Sequence, residues 1–120
     1  VYKRQVRDQY RVGFIVITHD LLLARKFCER IVVMYCGRVL ETNAARELFE
    51  HPRHPYTQGL IASLPHLGMK PMAGFSPAFT DQPSGCVFHP RCPYAEARCR
   101  HTEPKSIPCG EGSVCCHRYA

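Results

Sequence analysis

Apolar residues are concentrated in the first half of the chain, where they recur with the spacing of helices and strands. Tyr2, Val6 and Tyr10 lie on one face of a helix, and this spacing predicts a short helix at the start of the sequence. Residues 13–18, GFIVIT, form a continuous apolar run. Such a run is typical of a strand that is buried on both faces in a parallel sheet under helices.

A helix and a hairpin are predicted after this strand. The segment DLLLARKFCER begins with Asp20, whose carboxylate is a suitable N-cap, and continues with good helix formers. The segment IVVMYCGRVLE divides into two short apolar runs around Cys36 and Gly37. Because glycine adopts the positive φ that a tight turn requires, these runs are predicted to pair as two strands.

Two further helices are predicted before the regular spacing of apolar residues ends. Thr42 or Asn43 is expected to cap the helix AARELFE, and Pro65 is expected to end the helix YTQGLIASL. Between them lies the segment HPRHPY, in which prolines flank His51 and His54. The prolines predict a corner between the two helices rather than a pair of metal ligands.

The pattern of apolar and polar positions divides the chain into three parts. Residues 1–64, with the order strand, helix, hairpin, helix, helix, predict an α/β fold. Residues 65–85 have turn signals and no sustained period, which indicates a linker. Residues 86–120 are rich in Cys and are expected to form an irregular tail. Because this tail can bury little apolar surface, it is expected to need a cross-link, such as a bound metal, to be stable. At 120 residues the chain is one ordinary domain or a piece of a larger one.

Charge and composition exclude several classes of protein. The net charge is +6, but Lys and Arg are scattered and no aromatic residues alternate with them, so we expect no nucleic-acid binding. No apolar run is long enough to span a membrane, and the first residues, VYKRQVRDQYRV, do not form a secretory signal. The sequence does not begin with Met, and we expect it to continue a longer chain.

His19 follows the predicted strand of residues 13–18 directly. Open parallel sheets bind ligands just beyond the carboxyl ends of their strands. A histidine at that position can donate a hydrogen bond from a ring N–H to an anionic oxygen such as that of a phosphate. The alternative is that the histidine only caps its own backbone.

The cysteines are the second chemical feature, since there are eight of them. Clustered thiols in a chain without a secretory signal favour metal binding over disulfides. Four of them have the spacing Cys86-x5-Cys92-x6-Cys99-x16-Cys116. This spacing lacks the C-x2-C pair of common zinc sites and the C-x2-C-x2-C pattern of bacterial ferredoxins. Zinc, an iron–sulfur cluster and unligated thiols therefore all remain possible interpretations.

Four motifs, in order, give the chain a resemblance to one protein family. The segment FIVITHDLLLARKFCERIVVMYCGRVLE resembles the switch-histidine region of an ABC-transporter ATPase. The segment ELFEHPRHPYTQGLIASLP resembles one branch, the ATP-binding subunits of dipeptide, oligopeptide and nickel importers. The segments GCVFHPRCPYAEARCR and CCHRY resemble the tail of that branch.

This resemblance implies the C-terminal part of a P-loop NTPase domain followed by a Cys-rich tail. It implies that His19 senses the γ-phosphate of ATP. The phosphate-binding loop, the Ser-Gly-Gly segment and the Mg²⁺ ligands would lie upstream of residue 1, so the 120 residues alone are expected not to hydrolyse ATP. The implied partners are transmembrane permease subunits and a second ATP-binding subunit, at the cytoplasmic face of the cell membrane.

The resemblance also implies that Cys86, Cys92, Cys99 and Cys116 bind a 4Fe–4S cluster, with zinc as the alternative. Cys116 is preferred to Cys115 because the family pattern is Cys-His. The rival interpretation is a free-standing cysteine-rich module that binds metal for an interaction or for redox sensing.

Overall fold

One antiparallel sheet with short helices around it forms the centre of the protein. The computed structural model describes residues 2–120, in which four strands are ordered β1-β2-β4-β3. None of the helices among these residues has the length and apolar character needed to cross a lipid bilayer. In chain order the elements are α1 (Tyr2–Tyr10), α2 (Leu21–Phe27), β1 (Arg30–Tyr35), β2 (Arg38–Ala44), α3 (Ala45–Glu50), α4 (Pro55–Ala62), α5 (Ala97–His101), β3 (Ile107–Cys109) and β4 (Gly112–Val114), with 3-10 turns at Pro65–Leu67, His89–Arg91 and His117–Tyr119.

The predicted hairpin is confirmed as β1 and β2. Cys36 and Gly37 join the two strands and have φ values of 48° and 76°. Two consecutive residues with positive φ are what a tight hairpin turn requires, because this backbone twist matches that of the flanking strands. Residues of β1 alternate between exposed and buried, so one face of the hairpin packs on the interior.

The predicted strand over residues 13–18 is wrong. The segment has no regular structure, and the side chains of Ile15 and Ile17 are 96% and 98% exposed. A strand is stable only when neighbouring strands take up its backbone hydrogen bonds, and residues 2–120 place no strand beside this segment. The apolar run therefore remains open to solvent.

Of the two predicted helix caps, one is confirmed and one is wrong. The carboxylate of Asp20 accepts the N–H of Leu23 at 3.0 Å and caps α2. Thr42 and Asn43 do not cap α3, because both belong to β2, and Ala44 takes the N-cap position without a side-chain hydrogen bond. The strand continues to residue 44 since it has neighbours on both sides, including β4, in which Ser113 pairs with Thr42.

The tail is more regular than predicted. It contains α5 and the hairpin of β3 and β4, and β4 pairs with β2 in the same sheet as the first half of the chain. The division at residues 64 and 85 stays a prediction.

Two groups of buried side chains form the interior. The first lies between α2, β1, α3 and α4, and the second joins the hairpin to the start of the tail. The first consists of Ala24, Ile31, Val33, Ala45, Leu48 and Ile61, and the second of Tyr35, Leu40, Cys86, Val87 and Phe88.

Candidate functional site

The backbone around Gly85 brings two of the predicted cysteines side by side. Gly85 has a φ of 69°, and a Cβ at this position would lie 2.5 Å from the carbonyl oxygen of Cys99. The N–H of Cys86 donates to that same carbonyl at 2.8 Å. Only glycine allows so close an approach, so Gly85 is the local reason that these two cysteines meet.

A tight turn returns the third cysteine to the group. The 3-10 turn His89–Arg91 begins with a hydrogen bond from the N–H of His89 to the carbonyl of Cys86, at 3.0 Å. It ends with the N–H of Cys92 donating to the carbonyl of His89, at 3.2 Å. The ring Nδ1 of His89 also donates to the Cys86 carbonyl, at 2.9 Å, so this imidazole is engaged by the backbone.

Three of the four predicted cysteines pack in one place, since Cys86 belongs to the second group of core residues and Cys92 and Cys99 pack against that group. Burial, first of all, raises the pKa of Cys86, and negative charge on Cys99, Cys116 and Cys92 raises it further. Burial is also the main reason that the pKa of Cys92 and that of Cys116 are raised, with smaller contributions from the other thiols. We call these residues, Cys86, Cys92, Cys99 and Cys116, the thiol group.

The backbone lowers the pKa of three of the four thiols, against the effect of burial. In each case the group responsible is the residue two positions further along: Phe88 for Cys86, Tyr94 for Cys92 and Arg118 for Cys116. This effect favours the thiolate, which is the form that binds metal.

The thiol group carries the donor atoms that a soft metal takes. Four sulfur ligands are the set that zinc and iron–sulfur clusters take. As the side chains are positioned among residues 2–120, however, no group of three or more His, Cys, Asp or Glu is arranged at metal-binding distances. All eight cysteines are free thiols, so the group is not locked by a disulfide either.

The other cysteines lie elsewhere. Cys28 and Cys36 are half-buried, and they pack against the first and the second group of core residues, respectively. Burial raises the pKa of Cys109, which lies near the charges of Arg53 and Glu41. Cys115 donates its backbone N–H to the Leu40 carbonyl at 2.8 Å and lines a surface cavity, together with Cys86 of the thiol group.

His19 is exposed, between the open segment of residues 13–18 and α2. Its neighbour Asp20 performs the capping, and the N–H of Asp20 donates to the hydroxyl of Thr18 at 3.0 Å. Within residues 2–120 the ring of His19 forms no hydrogen bond, so it does not cap its own backbone. The imidazole is therefore accessible to a ligand.

The corner HPRHPY contains a polar centre that the sequence did not reveal. Glu41 in β2 is fully buried, and its two carboxylate oxygens accept the N–H groups of Arg53 and His54, each at 2.9 Å. His54 is only 1% exposed and caps α4, because its Nδ1 accepts the N–H of Tyr56 at 3.0 Å. The one signal in the sequence was an acidic residue inside an apolar strand.

Burial governs the chemistry of this corner. It lowers the pKa of His54 to about 4, so the ring is neutral at physiological pH. Burial also raises the pKa of Tyr56. The ring of Phe88 lies 5.6 Å from that of His54 and 5.4 Å from that of Tyr56. Phe88 thus links the corner to the thiol group, because it packs with Cys86 in the second group of core residues.

Residues 40–99 match the family model described as the oligopeptide/dipeptide transporter, C-terminal region. Curated relatives extend this similarity along the chain. The dipeptide transport ATP-binding protein DppD of Haemophilus influenzae is 42% identical over 88% of the chain. DppD of Caldanaerobacter subterraneus subsp. tengcongensis is 37% identical over 97% of it. A putative peptide import ATP-binding protein of Brucella ovis is 34% identical over 93% of it.

The chain is much shorter than these relatives. It covers 34% of the Haemophilus protein and 37% of each of the other two. The similarity therefore concerns about a third of each relative. The region matched by the family model, residues 40–99, includes most of β2, the HPRHPY corner and three members of the thiol group.

Proposed function

The chain belongs to the oligopeptide/dipeptide transporter C-terminal region family, and from this premise we propose that it forms the C-terminal part of the ATP-binding subunit of an ABC importer for peptides. The observation that carries the proposal is the identity of 34% to 42% with proteins named for dipeptide transport or peptide import and for ATP binding. Nickel is the alternative solute of this branch. The complete subunit would couple hydrolysis of ATP, bound with Mg²⁺, to uptake of the solute.

His19 is the residue of this chain that would act on the nucleotide. Its exposed ring, free of internal hydrogen bonds, supports a role in which a ring N–H donates to the γ-phosphate. Phosphoryl transfer depends on positioning and on charge stabilisation, both of which such a donor supplies. The ligands of Mg²⁺ and the phosphate-binding loop are expected upstream of residue 1.

The test uses the complete subunit assembled with its permease. We expect His19→Ala to reduce the rate of ATP hydrolysis at least about a hundredfold while ATP still binds, since the lost donor acts on the transferred group. His66→Ala is the control, because His66 is an exposed histidine far along the chain from the proposed site. Unchanged hydrolysis in His19→Ala would refute the role of His19. The 120-residue chain alone is expected to show no turnover.

The proposed partners are the transmembrane permease subunits and a second ATP-binding subunit, at the cytoplasmic face of the membrane. Copurification of the complete subunit with tagged permease, from detergent-solubilised membranes, tests the first partner. Recovery of the subunit without permease under conditions that preserve transport would contradict it.

The thiol group is proposed to bind a 4Fe–4S cluster, with zinc as the alternative. The set of four sulfur donors and the packing of Cys86, Cys92 and Cys99 in one place support this proposal. A metal bound by the thiol group would cross-link the tail and stabilise its fold. Structural metal sites in small domains contribute on the order of 10 kcal/mol to the free energy of folding.

Anaerobic purification followed by metal analysis and an absorption spectrum tests the metal. A brown protein with about four irons per chain is the expected result. Zinc without iron would select the alternative, and a protein without either metal would refute the site. Cys92→Ser is expected to lose the metal, whereas the control Cys109→Ser, outside the thiol group, is expected to keep it.

A further inference from the structure

Two of the cysteine loops are joined by a contact between their side chains. The guanidinium carbon of Arg118 lies 3.9 Å from the centre of the Tyr94 ring. Tyr94 stands two residues after Cys92, and Arg118 stands two residues after Cys116. A cation stacked on an aromatic face at this distance is attracted by the electron density of the ring. The stack therefore ties together two loops that are 24 positions apart, from residue 94 to residue 118.

Each residue of the stack lies inside a tight turn that begins at a cysteine. The N–H of Ala95 donates to the carbonyl of Cys92 at 3.3 Å, and the N–H of Tyr119 donates to the carbonyl of Cys116 at 3.2 Å. The stack of Arg118 on Tyr94 therefore holds these two turns against each other, and a change that opens the stack releases both turns.

The stack also places a positive charge close to the thiol group. Arg118 stands two residues after Cys116, and the ring over which its guanidinium lies belongs to Tyr94, two residues after Cys92. No side-chain carboxylate within residues 2–120 forms an ion pair with Arg118, whereas the nearby Arg98 is paired with Glu96 at 2.9 Å. The charge of Arg118 is consequently available to balance negative charge on the sulfurs.

We infer that Arg118, stacked on Tyr94, is a positioning residue of the thiol group, which holds the loops of Cys92 and Cys116 together and favours the anionic complex that four thiolates form with a metal ion. This inference rests on the metal binding that is proposed above for the same four cysteines. It adds residues that do not themselves bind the metal. Outer contacts of this kind orient metal ligands and adjust the affinity of a site.

The experiment measures binding of Co²⁺ to the purified, metal-free protein under anaerobic conditions. The absorption bands of thiolate-bound cobalt report both affinity and geometry. We expect Arg118→Gln to bind Co²⁺ about three- to tenfold more weakly, which is the range that one cation–π contact supports. We expect its thiolate-to-cobalt band to shift, while the melting temperature of the metal-free protein stays unchanged. Arg118→Lys keeps the charge and loses the planar stack. Its affinity for Co²⁺ is expected to lie between those of the wild-type protein and Arg118→Gln.

Two variants complete the design. Tyr94→Leu removes the ring and keeps the charge, and its effect should not add to that of Arg118→Gln, because both open the same contact. Arg25→Gln is the matched control, since Arg25 lies 5.2 Å over the Phe49 ring in another part of the molecule.

The possible results are distinct. If Arg118→Gln, or Tyr94→Leu should the first variant not fold, binds Co²⁺ within about twofold of the wild-type protein with the same band position, the inference is overturned. An equal loss in Arg25→Gln overturns it as well. Absence of Co²⁺ binding by the wild-type protein would also overturn it, whereas the iron–sulfur cluster is tested separately by the iron analysis described above.

Discussion

The stability of the protein should depend on pH through one buried histidine. His54 is 1% exposed, and burial holds its pKa at about 4, compared with about 6.5 for a histidine in water. The folded protein keeps this ring neutral, while the unfolded chain protonates it as the pH falls below about 6.5. The unfolded state therefore binds more protons between these two pH values, and the free energy of unfolding falls as the pH is lowered through this window.

The size of the effect follows from the difference between the two pKa values. About 2.5 pH units at about 1.4 kcal/mol per unit correspond to about 3 kcal/mol in total, of which about 2 kcal/mol is lost by pH 5. Below about pH 4 both states carry the proton, and this histidine causes no further loss. Glu41 accepts the backbone N–H of His54, and burial is the cause that lowers the pKa of the ring.

The assay is unfolding by urea at a series of pH values from 7.5 to 5, with two variants. His54→Asn keeps a residue suited to the N-cap and removes the titrating ring, so we expect it to lose about 2 kcal/mol of the pH dependence. His51→Asn, an exposed histidine of the same HPRHPY corner, should leave the dependence unchanged. Equal pH dependence in His54→Asn and the wild-type protein, or an NMR titration of His54 with a midpoint above about pH 6, would refute the reasoning.

Two further predictions concern packing, and thermal or urea unfolding measures both. Phe88→Ala removes a ring that is 1% exposed and should lower the free energy of unfolding by about 3–5 kcal/mol, whereas Phe75→Ala, at a side chain 94% exposed, should change it by less than about 0.5 kcal/mol. Gly112→Ala should destabilise the sheet, because the added Cβ would collide with the carbonyl of Thr42 in the neighbouring strand, whereas Gly13→Ala, with no atom within 4 Å of the added carbon, should be tolerated. Equal stabilities within either pair would contradict the packing on which the prediction depends.

Elements that depend on neighbouring residues were predictable from the sequence, and elements that depend on distant residues were not. The cap at Asp20 and the turn at Cys36 follow from chemistry within a few positions, and the structure contains both. The strand over residues 13–18 requires partners that residues 2–120 do not provide. Thr42 has a side chain suited to a helix cap, and its pairing with Ser113, far along the chain, leaves no local signal.

The candidate site shows the same limit. The spacing of the cysteines did not distinguish the thiol group from the other four thiols, and the selection came from the resemblance to a family. The stack of Arg118 on Tyr94 and the burial of His54 both arise from contacts between segments that are distant in the chain. No local sequence pattern therefore predicts either of them. Glu41 was visible as an acidic residue in a strand, but its two backbone partners belong to the corner beyond α3.

Phe88 is the point at which the two polar features of the molecule meet. It packs with Cys86 in the second group of core residues, and its ring lies 5.4 Å from the Tyr35 ring and 5.6 Å from the His54 ring. Because the side chain is 1% exposed and interiors are close-packed, a shift of Phe88 beside Cys86 also moves the ring at the corner. Order in the thiol group and order in the HPRHPY corner are therefore coupled. Binding of a metal to the cysteines should be detectable as a change in the NMR signals of His54, a residue that binds no metal itself.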